Sequence, residues 1–172
     1  MKIAIDIDDT ITETSDKIEE VLKQYNPNYK EEILDDQFWK KFYDKHIDNI
    51  MKNVKLIENA KEVIDKLKLD GHEIYFLTAR SNDISKNIPS ITLDYFKKHG
   101  LDIDNLYFHL YDRKGNKCRK LSIDLLIDDN IDNCLSAIEN EIKVILFRNT
   151  HDKLLNIDNW LDIYKYIKEN FN

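Results

Sequence analysis

The chain has 172 residues, of which 42% are hydrophobic and 34% charged, and its net charge is −7. These values predict one globular domain large enough to bury a core, and the negative charge argues against nucleic acid polymers and anionic membranes as main partners. The sequence has no signal-peptide pattern and no apolar run of membrane-span length, so we expect a cytoplasmic protein. Cys118 and Cys134 are predicted to be core residues in a reducing compartment rather than a disulfide framework.

The first strand is predicted at about residues 2–7, where an apolar run rich in β-branched side chains is bounded by charge. Two helical patterns follow it. The first begins near a capping box formed by Asp16 and Glu19, and the second covers about 36–52. We therefore predict a small helical insert at residues 14–52, called the cap insert below.

The remainder of the chain alternates strands and helices. Further strands are predicted at about residues 74–77, 106–108, 124–127 and 144–147. The helices are predicted at about 57–67, 89–99, 115–121, 131–138 and 158–170. This alternation indicates an α/β fold with a doubly wound, mostly parallel sheet. Residues 1–13 and 53–172 are predicted to form its core, with the cap insert after the first strand.

Two carboxylates stand together at the end of the first strand. Asp6 and Asp8 project to the same side of an extended backbone. Like charges this close repel unless a cation lies between them or one group takes a proton. Mg²⁺ is the cation that such hard oxygen ligands favour, although an Asp-rich turn is an alternative interpretation of this stretch alone.

The later strands also end in polar residues. Thr78 follows the second strand, a basic loop at Arg113 and Lys114 follows the third, and Asp128 and Asp129 follow the fourth. In a doubly wound sheet, ligands bind beyond the carboxyl ends of the strands. A set of carboxylates, a hydroxyl and an ammonium is what transfer of a phosphoryl group needs.

Four motifs over residues 3–130 resemble the haloacid dehalogenase (HAD) phosphatase superfamily. They are, in order, hydrophobic-strand-DxDxT, hydrophobic-strand-Thr, a Lys before a helix and hydrophobic-strand-DD. The wider pattern IDIDDTIT … FW … FLTAR … IDDN is similar to the 5′(3′)-deoxyribonucleotidase-like branch. The resemblance implies a Rossmann-like core with a helical cap and a Mg²⁺-dependent phosphatase, with a nucleoside (deoxy)monophosphate as the small-molecule substrate.

The resemblance also implies roles for single residues. Asp6 would be the nucleophile that forms an aspartyl-phosphate, and Asp8 would be the general acid and then the general base. Mg²⁺ would be held by the carboxylates of Asp6 and Asp128 and by the backbone carbonyl of Asp8. Thr78 would donate to a phosphate oxygen, and Lys114 would be the motif lysine.

Three positions near these motifs need separate comment. Lys114 is preferred as the motif lysine because it precedes the short helix, and Lys117 is the alternative. Asp9 departs from the family pattern, since many members carry Gly there, and we expect it to have no catalytic role. Asp129 is a candidate for positioning the lysine or a metal-bound water.

The cap insert carries aromatic residues at helical spacing. Phe38 and Phe42 are expected to share one face, and Trp39 and Tyr43 the adjacent one. Either all four pack within the insert, or one pair faces the cleft, where a nucleobase could stack. The candidate substrate-binding residues are Thr10, Arg80, Phe38, Trp39 and Tyr43.

Other functions are also compatible with parts of this pattern. The same chemistry on a sugar phosphate is one alternative. A receiver-like phosphoacceptor domain is another, but residues 50–60 offer no strand-terminal Asp for it, and the acid pair at 128–129 would be superfluous. The histidines show no ligand spacing, so zinc is not predicted; they are His46, His72, His99, His109 and His151.

Overall fold

The protein is described by a computed structural model over residues 1–108 and 114–171. The strands are β1 (Lys2–Ile5), β2 (Glu73–Leu77), β3 (Leu106–Tyr107), β4 (Leu125–Asp128), β5 (Lys143–Phe147) and β6 (Asn156–Ile157). They form one sheet in the order β3-β2-β1-β4-β5-β6, and every neighbouring pair is parallel. Arg113 and His109, on which the sequence analysis made predictions, lie outside the described residues.

Seven helices are found in the described ranges. They are α1 (Thr14–Tyr25), α2 (Asp36–Asn53), α3 (Ala60–Leu69), α4 (Ile88–Lys98), α5 (Lys114–Leu121), α6 (Ile131–Glu139) and α7 (Trp160–Asn170). None of these described helices combines the length and apolarity needed to cross a membrane.

Helices cover both faces of the sheet, as the side chains of β1 show, because they point alternately to two different clusters. Ile3 and Ile5 belong to the cluster that contains Ile64 of α3 and Ile163 of α7. Ala4, which points the other way, packs in a second cluster with residues of α5 and α6. Because both faces are buried, the strands read as continuous apolar runs. The predicted doubly wound α/β fold is confirmed.

The structure differs from the predicted elements in three places. β6 was not predicted, because a two-residue edge strand carries no periodic pattern. α1 begins at Thr14, so the predicted capping box at Asp16 is wrong; the position before the helix is Glu13, whose side chain makes no capping hydrogen bond. α3 begins at Ala60 rather than Ile57 because the N–H of Ile57 donates to the carbonyl of Ile11 in the loop after β1.

The two helices of the cap insert pack on each other and on the core. Their shared cluster contains Val21 and Leu22 of α1 and Phe42 and Ile50 of α2. A separate apolar contact joins α2 to α4 and consists of Ile47, Met51, Ile88 and Ile91. The insert is therefore attached directly to the helix that follows β2, next to the carboxyl end of that strand.

Candidate active site

Two acidic residues meet because β1 and β4 are neighbours in register. Ile5 pairs with Ile127, and the N–H of Asp6 donates to the carbonyl of Ile127 over 3.0 Å. This pairing places Asp6 beside Asp128, the last residue of β4. Both are buried, with exposures of 6% and 0%. Their carboxylates and that of Asp129 each offer an oxygen within 4.8 Å of the others.

Lys114, the first residue of α5, lies between these carboxylates. Its ammonium donates to Asp6 and, over 2.8 Å, to Asp128 Oδ2. Burial alone would lower the pKa of Lys114, but the charges of Asp6 and Asp128 and its hydrogen bonds to them outweigh burial and raise it. Lys114 is therefore an ammonium ion at the centre of the cluster.

The acidic cluster carries more negative charge than Lys114 alone can neutralise. Burial raises the pKa of Asp6 well above its ordinary value, and the neighbouring charges of Asp128 and Asp8 add to the effect although Lys114 opposes it. Burial, followed by Asp128 and Asp9, raises the pKa of Asp129 to about 6. A largely buried set of three carboxylates beside one ammonium fits a hard divalent cation such as Mg²⁺.

Asp8 is held by donors on two sides. Arg80 Nη2 donates to Asp8 Oδ1 over 2.7 Å, Arg80 Nε to Oδ2 over 3.1 Å, and Thr14 Oγ1 to Oδ1 over 2.7 Å. Burial by itself would raise the pKa of Asp8, but the Arg80 guanidinium and these hydrogen bonds hold it below its ordinary value. In the protein without substrate, Asp8 is therefore an ionised carboxylate.

Thr78 follows β2 at the same edge of the sheet. Its N–H donates to the carbonyl of Tyr107 over 3.0 Å, and its hydroxyl oxygen accepts from the N–H of Arg80 over 3.1 Å. Because the hydroxyl accepts that bond, its own proton is available to donate to a ligand oxygen. This is the arrangement expected of a side chain that binds one phosphate oxygen.

Thr10 is fully buried and connects two loops of the site. Its hydroxyl accepts from the N–H of Asp129 over 3.2 Å and donates to Asp129 Oδ1 over 3.3 Å. Its carbonyl accepts from Trp160 Nε1 over 3.0 Å. These contacts hold the loop after β4 against the loop after β1, whereas substrate binding by Thr10 stays a prediction.

The two candidate lysines have different surroundings. Lys114 contacts the carboxylates, whereas Lys117 Nζ lies 4.0 Å from the centre of the Tyr107 ring. Lys117 stands about one turn further along α5, where it contacts Tyr107 instead of the carboxylates. The structure therefore brings Lys114, and not Lys117, to the strand ends.

Asp9 occupies a turn that would suit glycine. Its φ of 58° lies in the left-handed region, where Asp is tolerated better than most residues with a side chain. The carboxylate accepts from the N–H of Ser15 over 2.8 Å, which ties the turn to the first helix of the cap insert. This structural contact explains Asp at this position.

The aromatic residues of α2 pair as their spacing predicts. The Phe38 and Phe42 rings lie 6.4 Å apart and almost parallel, and those of Trp39 and Tyr43 lie 5.7 Å apart with an angle of 25°. Phe42 is fully buried in the cap cluster, and the other three pack against it partly buried. Packing thus accounts for Phe42, and stacking on a base stays a prediction for Trp39 and Tyr43.

Sequence reasoning missed three residues that support the site. Asn133 Nδ2 donates to both oxygens of Asp128 over 3.2 Å, and Thr14 donates to Asp8. Gly115 allows α5 to approach the backbone of α6. A signal existed only for Gly115, since a glycine inside a predicted helix often marks a close approach.

No protein-family model matches the chain, and no curated protein matches it. Solved structures do. A HAD-superfamily hydrolase from Ehrlichia chaffeensis is 18% identical with a TM-score of 0.59, covering 99% of this chain and 97% of the other. A HAD family hydrolase from Deinococcus radiodurans R1, with bound phosphate and sodium, is 12% identical with a TM-score of 0.70, covering 98% and 95%.

A third similar structure is a predicted phosphoglycolate phosphatase from Haemophilus somnus 129pt. It is 16% identical with a TM-score of 0.63, and the match covers 95% of this chain and 96% of that one. These similarities extend over almost the whole chain. They show that it has the α/β fold of HAD hydrolases.

Proposed function

We propose that this chain is a Mg²⁺-dependent phosphomonoester hydrolase that acts through an aspartyl-phosphate on Asp6. The observation that carries the proposal is the meeting of Asp6, Asp128 and the Lys114 ammonium at the ends of two adjacent strands. Asp8 and Thr78 extend this set at the same edge of the sheet. The fold shared with HAD hydrolases supports the same reaction class.

The reaction has two displacements at phosphorus. A carboxylate oxygen of Asp6 attacks phosphorus as the bond to the ester oxygen breaks, and the leaving oxygen takes a proton from Asp8. Because substrate-free Asp8 is ionised, it first takes up this proton from solvent when the phosphate ester binds. Water then attacks the phosphorus of the aspartyl-phosphate and gives a proton to Asp8. Inorganic phosphate leaves, and the carboxylate of Asp6 is restored.

The other residues of the site stabilise negative charge and orient the phosphate group. The Lys114 ammonium neutralises Asp6 and a transferring phosphate oxygen, and Thr78 donates to a second oxygen. The carboxylates of Asp6 and Asp128 and the backbone carbonyl of Asp8 would hold Mg²⁺. When bound, this ion supplies Lewis-acid stabilisation of the phosphate charge.

For the substrate, we propose a nucleoside monophosphate, with a deoxy sugar and a pyrimidine base as the first variants to test. The half-buried pair Trp39 and Tyr43 on α2 supports this choice, because an aromatic surface suits a base. The resemblance to the deoxyribonucleotidase-like branch supports it as well. A sugar phosphate is the alternative substrate.

We expect the activity in the cytoplasm, because the free buried thiols of Cys118 and Cys134 are compatible with a reducing compartment.

The test is phosphate release across a panel of nucleotides, sugar phosphates and aryl phosphates with Mg²⁺ present. We expect turnover by the wild-type protein, none in EDTA and none by Asp6→Asn, whose amide is similar in shape but not nucleophilic. Beryllofluoride with Mg²⁺ should bind the wild-type protein and not Asp6→Asn, which a fluorine NMR spectrum would show. Turnover by folded Asp6→Asn would overturn the mechanism.

A further inference from the structure

Arg80 is one of the most deeply buried charged residues, with 1% of its surface exposed. Its guanidinium is anchored on α4, because Nη1 donates to Thr92 Oγ1 over 3.2 Å and the same hydroxyl donates to the carbonyl of Ile88 over 2.9 Å. Its backbone N–H bonds to Thr78 Oγ1. The backbone and the guanidinium of Arg80 are therefore both held by hydrogen bonds that do not involve Asp8.

The remaining face of the guanidinium is directed at Asp8. Nε donates to Oδ1 over 3.2 Å and to Oδ2 over 3.1 Å, and Nη2 donates to Oδ1 over 2.7 Å. A planar fork of this kind restrains both the position and the plane of a carboxylate. The Asp8 side chain still has 30% of its surface exposed, so one side of the restrained carboxylate faces solvent.

We propose that Arg80 is a positioning residue for Asp8. It holds the carboxyl group where its proton passes to the ester oxygen as the phosphorus–oxygen bond breaks, and where it takes a proton from the attacking water. The inference rests on the proposed function and assigns Arg80 a task different from substrate binding. Nε and Nη2 form the fork that holds Asp8, so a bidentate contact of this fork with phosphate would require the guanidinium to leave Asp8.

Positioning Asp8 and binding phosphate directly would affect alkyl and aryl esters in different ways. A nitrophenolate leaves readily as an anion and gains little from protonation, whereas an alkoxide gains much. Loss of a residue that positions the general acid therefore lowers kcat for alkyl esters far more than for aryl esters. Loss of a phosphate ligand instead raises KM for both classes, because both carry the same phosphate group.

The experiment compares Arg80→Met and Arg80→Lys with wild type on two esters. One is 4-nitrophenyl phosphate, and the other is the best nucleotide or sugar phosphate of the panel, which serves as the alkyl ester. We expect Arg80→Met to lower kcat about 100-fold or more for the alkyl ester and less than about tenfold for the aryl ester, with KM changing less than threefold. Arg80→Lys keeps the charge without the fork, so it should recover only part of the loss. Arg119→Met, an exposed arginine on α5, is the matched control and should behave as wild type on both esters.

A double-mutant cycle separates positioning from general damage to the fold. If Arg80 acts through Asp8, then Arg80→Met should cost the alkyl ester less than about threefold in an Asp8→Asn background. A full 100-fold loss in that background, or an equal rise in KM for both esters, would overturn the inference. If Arg80→Met does not fold, as judged by circular dichroism, the ratio of alkyl to aryl kcat in Arg80→Lys decides, and an unchanged ratio counts against it.

The proposed function and this inference fail in different ways. A wild-type protein that releases phosphate from no ester would overturn both. An active wild-type protein whose Arg80 variants lose the same factor on both ester classes would overturn only the role of Arg80.

Discussion

A methyl group on Gly115 would lie 2.1 Å from the carbonyl oxygen of Ser136, so α5 and α6 approach each other at a distance that no side chain at this position allows. Gly115 directly follows Lys114, whose ammonium lies between Asp6 and Asp128. The contact between the two helices therefore determines where the lysine begins its path into the site. A change in this contact must move the ammonium as well.

We expect Gly115→Ala to lower both stability and activity. The added carbon forces α5 away from α6, and overpacking of this kind costs about 1–3 kcal/mol in the free energy of unfolding. The shifted lysine should lower kcat at least tenfold. Urea denaturation and phosphate release measure the two effects, with Asn116→Ala, an exposed position on α5, as the control. A variant with wild-type stability would contradict the close contact.

Lys114 and Lys117 should differ sharply when each is replaced by Met. Lys114→Met removes the ammonium between two buried carboxylates, so we expect kcat to fall more than 100-fold. Lys117→Met removes a contact with the Tyr107 ring, worth about 0.5–1 kcal/mol, and should leave kcat within threefold. Steady-state kinetics on one substrate decides the assignment, which fails if only Lys117→Met is inactive.

Mg²⁺ should stabilise the folded chain through Asp128. Binding to the folded state alone contributes about 2.7 kcal/mol when the ion is at 100 times its Kd, which for a chain of this size shifts Tm by roughly 5–10 °C. Asp128→Ala should need much more Mg²⁺ for the same shift. Thermal unfolding over a Mg²⁺ titration measures this without any substrate. The exposed Asp152→Ala is the control, and equal titrations for Asp128→Ala and wild type would exclude Asp128 as a ligand.

Asp129 should make the metal-free protein lose stability as pH rises from about 4 to about 6. Burial, together with Asp128 and Asp9, raises its pKa from 3.8 to about 6. A carboxyl group whose pKa is higher in the folded chain binds its proton more tightly there. Its contribution is therefore present in full below the unfolded pKa and is lost as pH passes the folded one.

This loss can be measured by urea denaturation in EDTA at several pH values. Two pKa units correspond to at most about 3 kcal/mol, and the partial exposure of Asp129 makes the value smaller. Asp129→Asn serves as the reference, because other acidic groups titrate in both proteins. The wild type should lose stability relative to the variant between pH 4 and pH 6. A constant difference would show that the pKa of Asp129 is not raised.

Trp39→Ala should weaken selection for nucleotides while sparing a small aryl phosphate. If a base stacks on this ring, its loss removes about 1–3 kcal/mol of binding, so kcat/KM for the nucleotide should fall about 5- to 150-fold. Tyr25→Ala is the matched control, because Tyr25 also contacts the rings of the cap cluster but lies on α1. An equal loss on all substrates would contradict the proposed preference for nucleotides and leave only the proposed phosphatase activity.

The sequence by itself determined the α/β class, the strands β1 to β5 and the strand-end acids. Each of these depends on neighbouring residues, since periodicity and residue type are local properties. It could not predict β6, because two residues carry no period and pair only once β5 is in place. The predicted capping box at Asp16 was wrong because α1 already begins at Thr14, and Glu13, the position before the helix, makes no capping hydrogen bond through its side chain.

Tertiary structure alone decided which side chains meet within the site. Arg80 lies 72 positions from Asp8, and the TAR motif carries no sign that its guanidinium points to that carboxylate. Lys114 reaches Asp6 across 108 positions only because Gly115 lets α5 lie against α6. The chain thus encodes its elements and their polar ends locally, while the pairing of buried charges follows from how the helices pack around the sheet.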